Sequence, residues 1–140
     1  MKLEQICVSL ELAKELKEAG YPQRALHWWG GIGNMDIWCD HVKEEMPPQE
    51  KRFTWYAAPT ASELGEKLPE SIKKDGENYL IFQTLVNGYV KLGYWSIKEP
   101  NVFGEVIGSQ SIQRDKSEAD ARTTMLLYLA KEKLINLKRL

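Results

Sequence analysis

The sequence predicts an α+β fold, an antiparallel sheet of two hairpins with about four to five strands, covered by N-terminal, short central and long C-terminal helices. Three observations predict it. Apolar residues recur at helical spacing near both ends of the 140-residue chain. Two aromatic, β-prone runs, ALHWW and DIWCDHV, flank the segment GGIGNM. Two longer runs flank Asn87-Gly88, the pair favoured in a type I′ turn. No repeat, low-complexity block or long linker divides the chain, so residues 1–140 read as one α+β domain.

Each element has its own signal. Residues 9–19 read as a helix: Ser9 can cap it, and Leu12, Ala13, Leu16 and Ala19 supply an apolar stripe. Gly20 and Pro22 stop it. The preceding QICVS reads either as a short strand or as the approach to the helix. In the first hairpin, Gly30, Gly31 and Gly33 are expected to supply positive φ angles to the loop. EEMPPQEKRF is polar and contains Pro-Pro, a loop signal. In PTASELGEKLP, Thr60 and Glu63 form a capping box and Pro69 follows the last turn. DGEN turns the chain. The Asn87-Gly88 turn places Leu85 across from Val90 and Ile81 across from Tyr94. At most one more strand fits residues 98–116, around VFGEVIG. Ser117-Glu118-Ala119-Asp120 then opens a long helix with Ala121, Met125, Tyr128 and Leu129 facing the core.

Composition excludes several classes. No run approaches the ~20 apolar residues of a membrane span, and the charge-broken N-terminus is not expected to be a secretory signal. A soluble protein of the cytoplasm is expected. Net charge is −1, so no global field attracts nucleic acid. The basic end, KEKLINLKRL, is read as complementing the negative end of a C-terminal helix. Two cysteines, Cys7 and Cys39, are too few for a stapled scaffold and are expected as buried thiols.

The chemistry-bearing residues support no reaction class. GGIG lacks the third glycine and following helix of a dinucleotide loop, and no Gly-Lys-Ser/Thr marks a P-loop. On a strand, Cys39 and His41 share a face that His27 could approach, but no CxxC or HxxxH spacing supports a metal. No elbow such as G-x-S-x-G activates a nucleophile. No catalytic residue, metal or cofactor is assigned.

The aromatic doublets are the strongest clue. Neighbours on a strand face opposite ways, so Trp28-Trp29, Trp55-Tyr56 and Tyr94-Trp95 must each split. One ring of each pair then faces outward, into a ligand groove or an interface, unless both sheet faces are covered. Arg24, Lys51, Arg52 and Arg122 lie near these rings or near a helix start. Arg122 falls in the first turn of the last helix, where free N–H groups favour an anion, although Glu118 four residues earlier is the more ordinary partner.

PTASELGEKLP (59–69), EADARTTMLLYLAKEKLI (118–135) and the opening LELAKELKEAGYPQ together resemble an uncharacterised group of small proteins encoded by phages, prophages and mobile elements of gut bacteria. The shared motifs are helix caps and core stripes, and WWGGIG lies outside them. No catalytic residue carries over. The resemblance implies an accessory binding protein, an inhibitor of a host defence enzyme or a sponge for nucleotide signals.

The combined expectation is a non-enzymatic, homo-oligomeric binding protein in the host cytoplasm, sequestering a nucleotide-like small molecule in anti-defence. Its ligand-binding residues would be Trp28, Trp29, Trp55, Tyr56, Trp95 and Arg122. A protein-binding inhibitor of a host enzyme is one alternative, and a small enzyme using Cys39 and His41 is another. Partners would be a second copy, a nucleotide-like molecule or a host protein, with no nucleic acid and no membrane.

Overall fold

A computed structural model describes residues 6–31, 36–39, 54–87, 89–96, 106–113 and 118–140. Its elements run α1 (Leu10–Glu18), β1 (His27–Gly31), β2 (Asp36–Cys39), β3 (Thr54–Ala57), α2 (Ala61–Lys67), β4 (Ser71–Lys74), β5 (Glu77–Val86), β6 (Tyr89–Ser96), β7 (Val106–Gln113) and α3 (Glu118–Lys131), closing with a 3₁₀ turn, Leu137–Arg139. The class is α+β, with N-terminal, central and C-terminal helices as the sequence predicts. The strands, however, form two antiparallel sheets, ordered β2-β1-β3 and β4-β5-β6-β7. Two runs add to the predicted hairpins: TWYA pairs with β1, and SIKK, with one core-facing apolar residue, pairs with β5.

The ends of the helices follow their residues closely. Gly20, at φ 96°, lets Tyr21 donate to the Leu16 carbonyl at 2.9 Å and Gly20 to that of Lys17 at 3.1 Å. This pair of hydrogen bonds is the Schellman stop of α1. At its other end Ser9 makes no side-chain cap. Instead the Ser9 N–H donates to the Asp120 carboxylate of α3 at 2.7 Å, so the last helix caps the first. Among the described residues of QICVS, Cys7 forms one antiparallel bridge to Thr60 and is fully buried. Thr60 and Glu63 form the expected capping box, at 3.2 and 3.1 Å.

The second sheet is two tight turns and a bulge. Asp75 and Gly76 both have positive φ, 52° and 80°, the requirement of the two-residue turn joining β4 to β5. Asn87 has φ 50°, and the β5–β6 register pairs Leu85 with Val90 and Ile81 with Tyr94, as the turn chemistry predicts. On β7 the register slips between the partners of Leu92 and Tyr94, and Gly108 there takes φ 63°. Such a bulge bends the strand. The freedom of Gly108 also admits α3: a Cβ at this position would lie 2.8 Å from the Tyr128 ring.

The main core lies between the inner face of the second sheet (Ile72, Tyr79, Leu92, Tyr94, Ile107) and the helices. From α3 it takes Ala119, Met125, Leu126 and Leu129. Past Lys131 the chain turns at Lys133, φ 60°, and Leu137 returns to the core at 2 % exposure. The basic tail therefore does more than balance the dipole of its own helix. Its Lys138 stem lies over Gly20 at the end of α1.

The role expected for the first glycine cluster needs correction. Gly30 and Gly31 belong to β1 rather than to a loop, and Gly30 has no positive φ. Gly33 lies outside the described residues. Gly30 pairs with Trp55 across β3, and a Cβ on it would stand 2.1 Å from the Trp55 ring. The glycine is required for space, an aromatic ring lying flat on a glycine across the strand pair. Gly30→Ala is expected to cost about 1–3 kcal/mol, the range of overpacking. Denaturant unfolding checks it, and an unchanged midpoint would refute the packing role.

Candidate functional site

Register assigns every doublet its faces. On the first sheet Trp28 and Ala57 lie opposite one another, as do Gly30 and Trp55 two residues on, so these four share a face. There Trp28 (0 % exposed), Trp55 and Ala57 join Ala25 in a small second core, and the Trp28 indole donates to the Ala25 carbonyl at 2.9 Å. Trp29 and Tyr56 pair on the other face, packed against the main core. The Trp29 indole donates to the Val8 carbonyl at 2.9 Å. Lys17 stands 5.0 Å and Lys14 5.8 Å from the centre of the Tyr56 ring. Lys17 also donates to the Trp55 carbonyl. Both faces are thus covered, which is why neither ring of these two doublets reaches solvent freely.

Arg122 is likewise occupied. It donates to the Ala61 carbonyl at the start of α2 and, at 3.2 Å, to the Gln83 side chain of β5. Glu118 sits 4.0 Å away, the partner expected one turn earlier. Gly65 leaves the room, since a Cβ there would meet the guanidinium at 2.6 Å. A ligand phosphate at Arg122 would have to displace these bonds. The six predicted residues therefore do not converge: two are in the small core, two face α1, Arg122 ties α3 to α2, and Trp95 stands elsewhere.

Trp95 is on the second sheet, and the described helices that pack on it lie on the inner side. Along β6 the burial alternates: Val90, Leu92 and Tyr94 are buried, Lys91 and Trp95 exposed. Across the strands Trp95 pairs with Leu80 on β5 and with Val106 on β7. The three form one row on the outer face, exposed by 39, 39 and 46 %. One step along, Phe82 lies over Gly93, whose Cβ would meet the ring at 2.9 Å. Lys73 and Lys91 occupy the same face away from the row. Large apolar side chains left wet in a contiguous row mark an interface more often than ordinary surface.

Leu80, Phe82 and Val106 were missed by sequence reasoning. A signal existed: in YLIF no polar residue alternates with the apolar ones, so a strand with one core face must show apolar groups on the other. Tyr94, the inward partner of Trp95, is fully buried and donates to the Pro69 carbonyl at 2.7 Å. Burial pushes its phenol far above the usual range, so it remains a donor.

His27 lies directly across from Cys39 in the β1–β2 register, as a metal site would need. His41, the third residue of that idea, lies outside the described residues, as do Lys51 and Arg52. Among the described residues no three His, Cys, Asp or Glu side chains gather as a metal site. No helix among them is long and apolar enough to cross a membrane. Comparison with protein families, curated proteins and solved structures finds no match to this chain.

The burial difference is directly measurable. Trp28→Ala is expected to cost about 3–5 kcal/mol, and Trp95→Ala less than about 1 kcal/mol in the isolated chain. Equal losses in chemical unfolding would contradict the assignment of faces.

Proposed function

We propose that the protein is a non-enzymatic binding protein of phage or mobile-element type that works as a homo-oligomer through the outer face of its four-stranded sheet. One observation carries this reading: Leu80, Trp95 and Val106 stand in register on three adjacent strands, each more than a third exposed. Removing such surface from water is favourable by about 25 cal/mol per Å².

A second copy suits the face in size and shape. Four strands about 4.8 Å apart, with longer members of about eight residues, span roughly 20 by 25 Å. With side-chain relief this is on the scale of the ~800 Å² that each partner buries in a standard interface. Two sheets facing one another about 10 Å apart interdigitate such rows. A two-fold axis makes one patch its own complement. The implied setting is the host cytoplasm, where the oligomer would serve as an anti-defence accessory. Trp28, Trp55 and Arg122 contribute to such a protein by holding the fold.

Sedimentation velocity over a dilution series tests the reading. The wild-type chain is expected to sediment at twice its 16.1 kDa mass and to dissociate on dilution. Trp95→Lys should remain monomeric and should melt, at any concentration, where the dilute wild-type monomer melts. A wild-type monomer at every concentration, or association indifferent to Trp95→Lys, would overturn it.

A further inference from the structure

A cleft of about 420 Å³ opens where three stretches remote in sequence meet: the segment after α1, the outer side of α2 and the C-terminal turn. Its volume is in the range of sites for small ligands. Four side-chain cations line it, Arg24, Lys67, Lys138 and Arg139, against two side-chain carboxylates, Glu63 and Glu66, and the main-chain oxygen of Leu140 that Lys67 bonds.

Among the described residues neither carboxylate forms an ion pair with a lining arginine, and the side chains of the lining keep a net positive charge. Glu63 accepts from the Thr60 N–H at 3.1 Å and is held in the capping box of α2. Glu66 makes no ion pair among the described residues. Two of the cations build the walls. Lys67 donates to the Leu140 main-chain oxygen at 3.0 Å, and the Lys138 stem covers Gly20. Arg24 and Arg139 are exposed, and among the described residues neither has a carboxylate within ion-pair distance. This sets them apart from Arg122, whose guanidinium is occupied by Ala61 and Gln83. Tyr21 lines the same cleft at 5 % exposure, and burial beside Glu63 pushes its phenol up to about 12, so it stays protonated at neutral pH.

We infer that this cleft binds a small oxyanion of the phosphate or carboxylate class, with Arg24 and Arg139 supplying planar guanidinium donors and Tyr21 a hydroxyl donor. Guanidinium matches two oxygens of one anion at once, which a lysine cannot do. Cations gathered in one cleft repel each other, and a bound anion relieves that repulsion. The site does not use the outer sheet face, so either assignment can fail alone.

Isothermal titration of the full chain at low salt with inorganic phosphate, pyrophosphate and citrate tests it. Saturable binding of one anion per chain is expected, tighter for pyrophosphate if the class is phosphate and for citrate if it is carboxylate. Arg24→Gln and Arg139→Gln should each weaken it about tenfold, a loss of one charge-assisted contact. Glu66→Gln should tighten it, and Lys14→Gln, outside the cleft, should leave it unchanged. No saturable heat with any of the three up to about 10 mM would overturn the proposal. So would binding that survives both arginine variants.

Discussion

Helix α3 is buried along most of its circumference, and the other elements take their places around it. Ala119, Ala121, Thr123, Met125, Leu126 and Leu129 are all buried, a spread too wide for a single helical stripe. It touches β6 and β7 on one side and α1 and α2 on others. Close approach is secured by removing side chains opposite it, at Gly108 beneath Tyr128 and at Gly65 beneath Arg122. Its polar groups are engaged at the same contacts: Asp120 takes the Ser9 N–H, and Arg122 reaches Ala61 and Gln83. One largely buried helix thus fixes the entry of the first helix, the start of the second and the inner face of the larger sheet.

That arrangement explains why three aromatic doublets have different fates. The three-stranded sheet has α1 against one face and a separate cluster, Ala25, Trp28, Trp55 and Ala57, on the other. Its rings are therefore structural. The four-stranded sheet has its core on one side only, so Tyr94 is enclosed while Trp95 remains in water. Alternation along a strand makes this split unavoidable. An apolar row on the uncovered side costs solubility in a lone monomer, and a partner removes that cost. The basic cleft beside the C-terminal turn adds a second surface of opposite chemistry, polar where the sheet face is apolar.

Local chemistry was the most legible part of the sequence. The Asn-Gly pair at 87–88 reads as a turn in the sequence, and the β5–β6 register through Ile81 and Tyr94 follows it, while Thr60 with Glu63 marks the start of α2. Gly20 ends α1 by the backbone geometry only glycine reaches cheaply. What stayed hidden depended on partners remote along the chain. Gly30 looks like a loop glycine until Trp55 is seen across the strand pair, twenty-five residues away. Ser9 looks like a side-chain cap, but its side chain caps nothing and its own N–H goes to Asp120. Arg122 looks like an anion donor until Ala61 and Gln83 occupy it. Of the six residues singled out for binding, only Trp95 presents a large exposed ring, because which ring of a doublet faces out is decided by where the helices pack.

The outer sheet face as a self-association surface is tested most directly by ¹⁹F NMR of 5-fluorotryptophan-labelled protein across a dilution series. The Trp95 signal is assigned by its loss in Trp95→Phe. It is predicted to shift with concentration while the signals of Trp28 and Trp55, buried in the chain itself, stay in place. A Trp95 signal that does not move from the most dilute to the most concentrated sample would contradict the central claim.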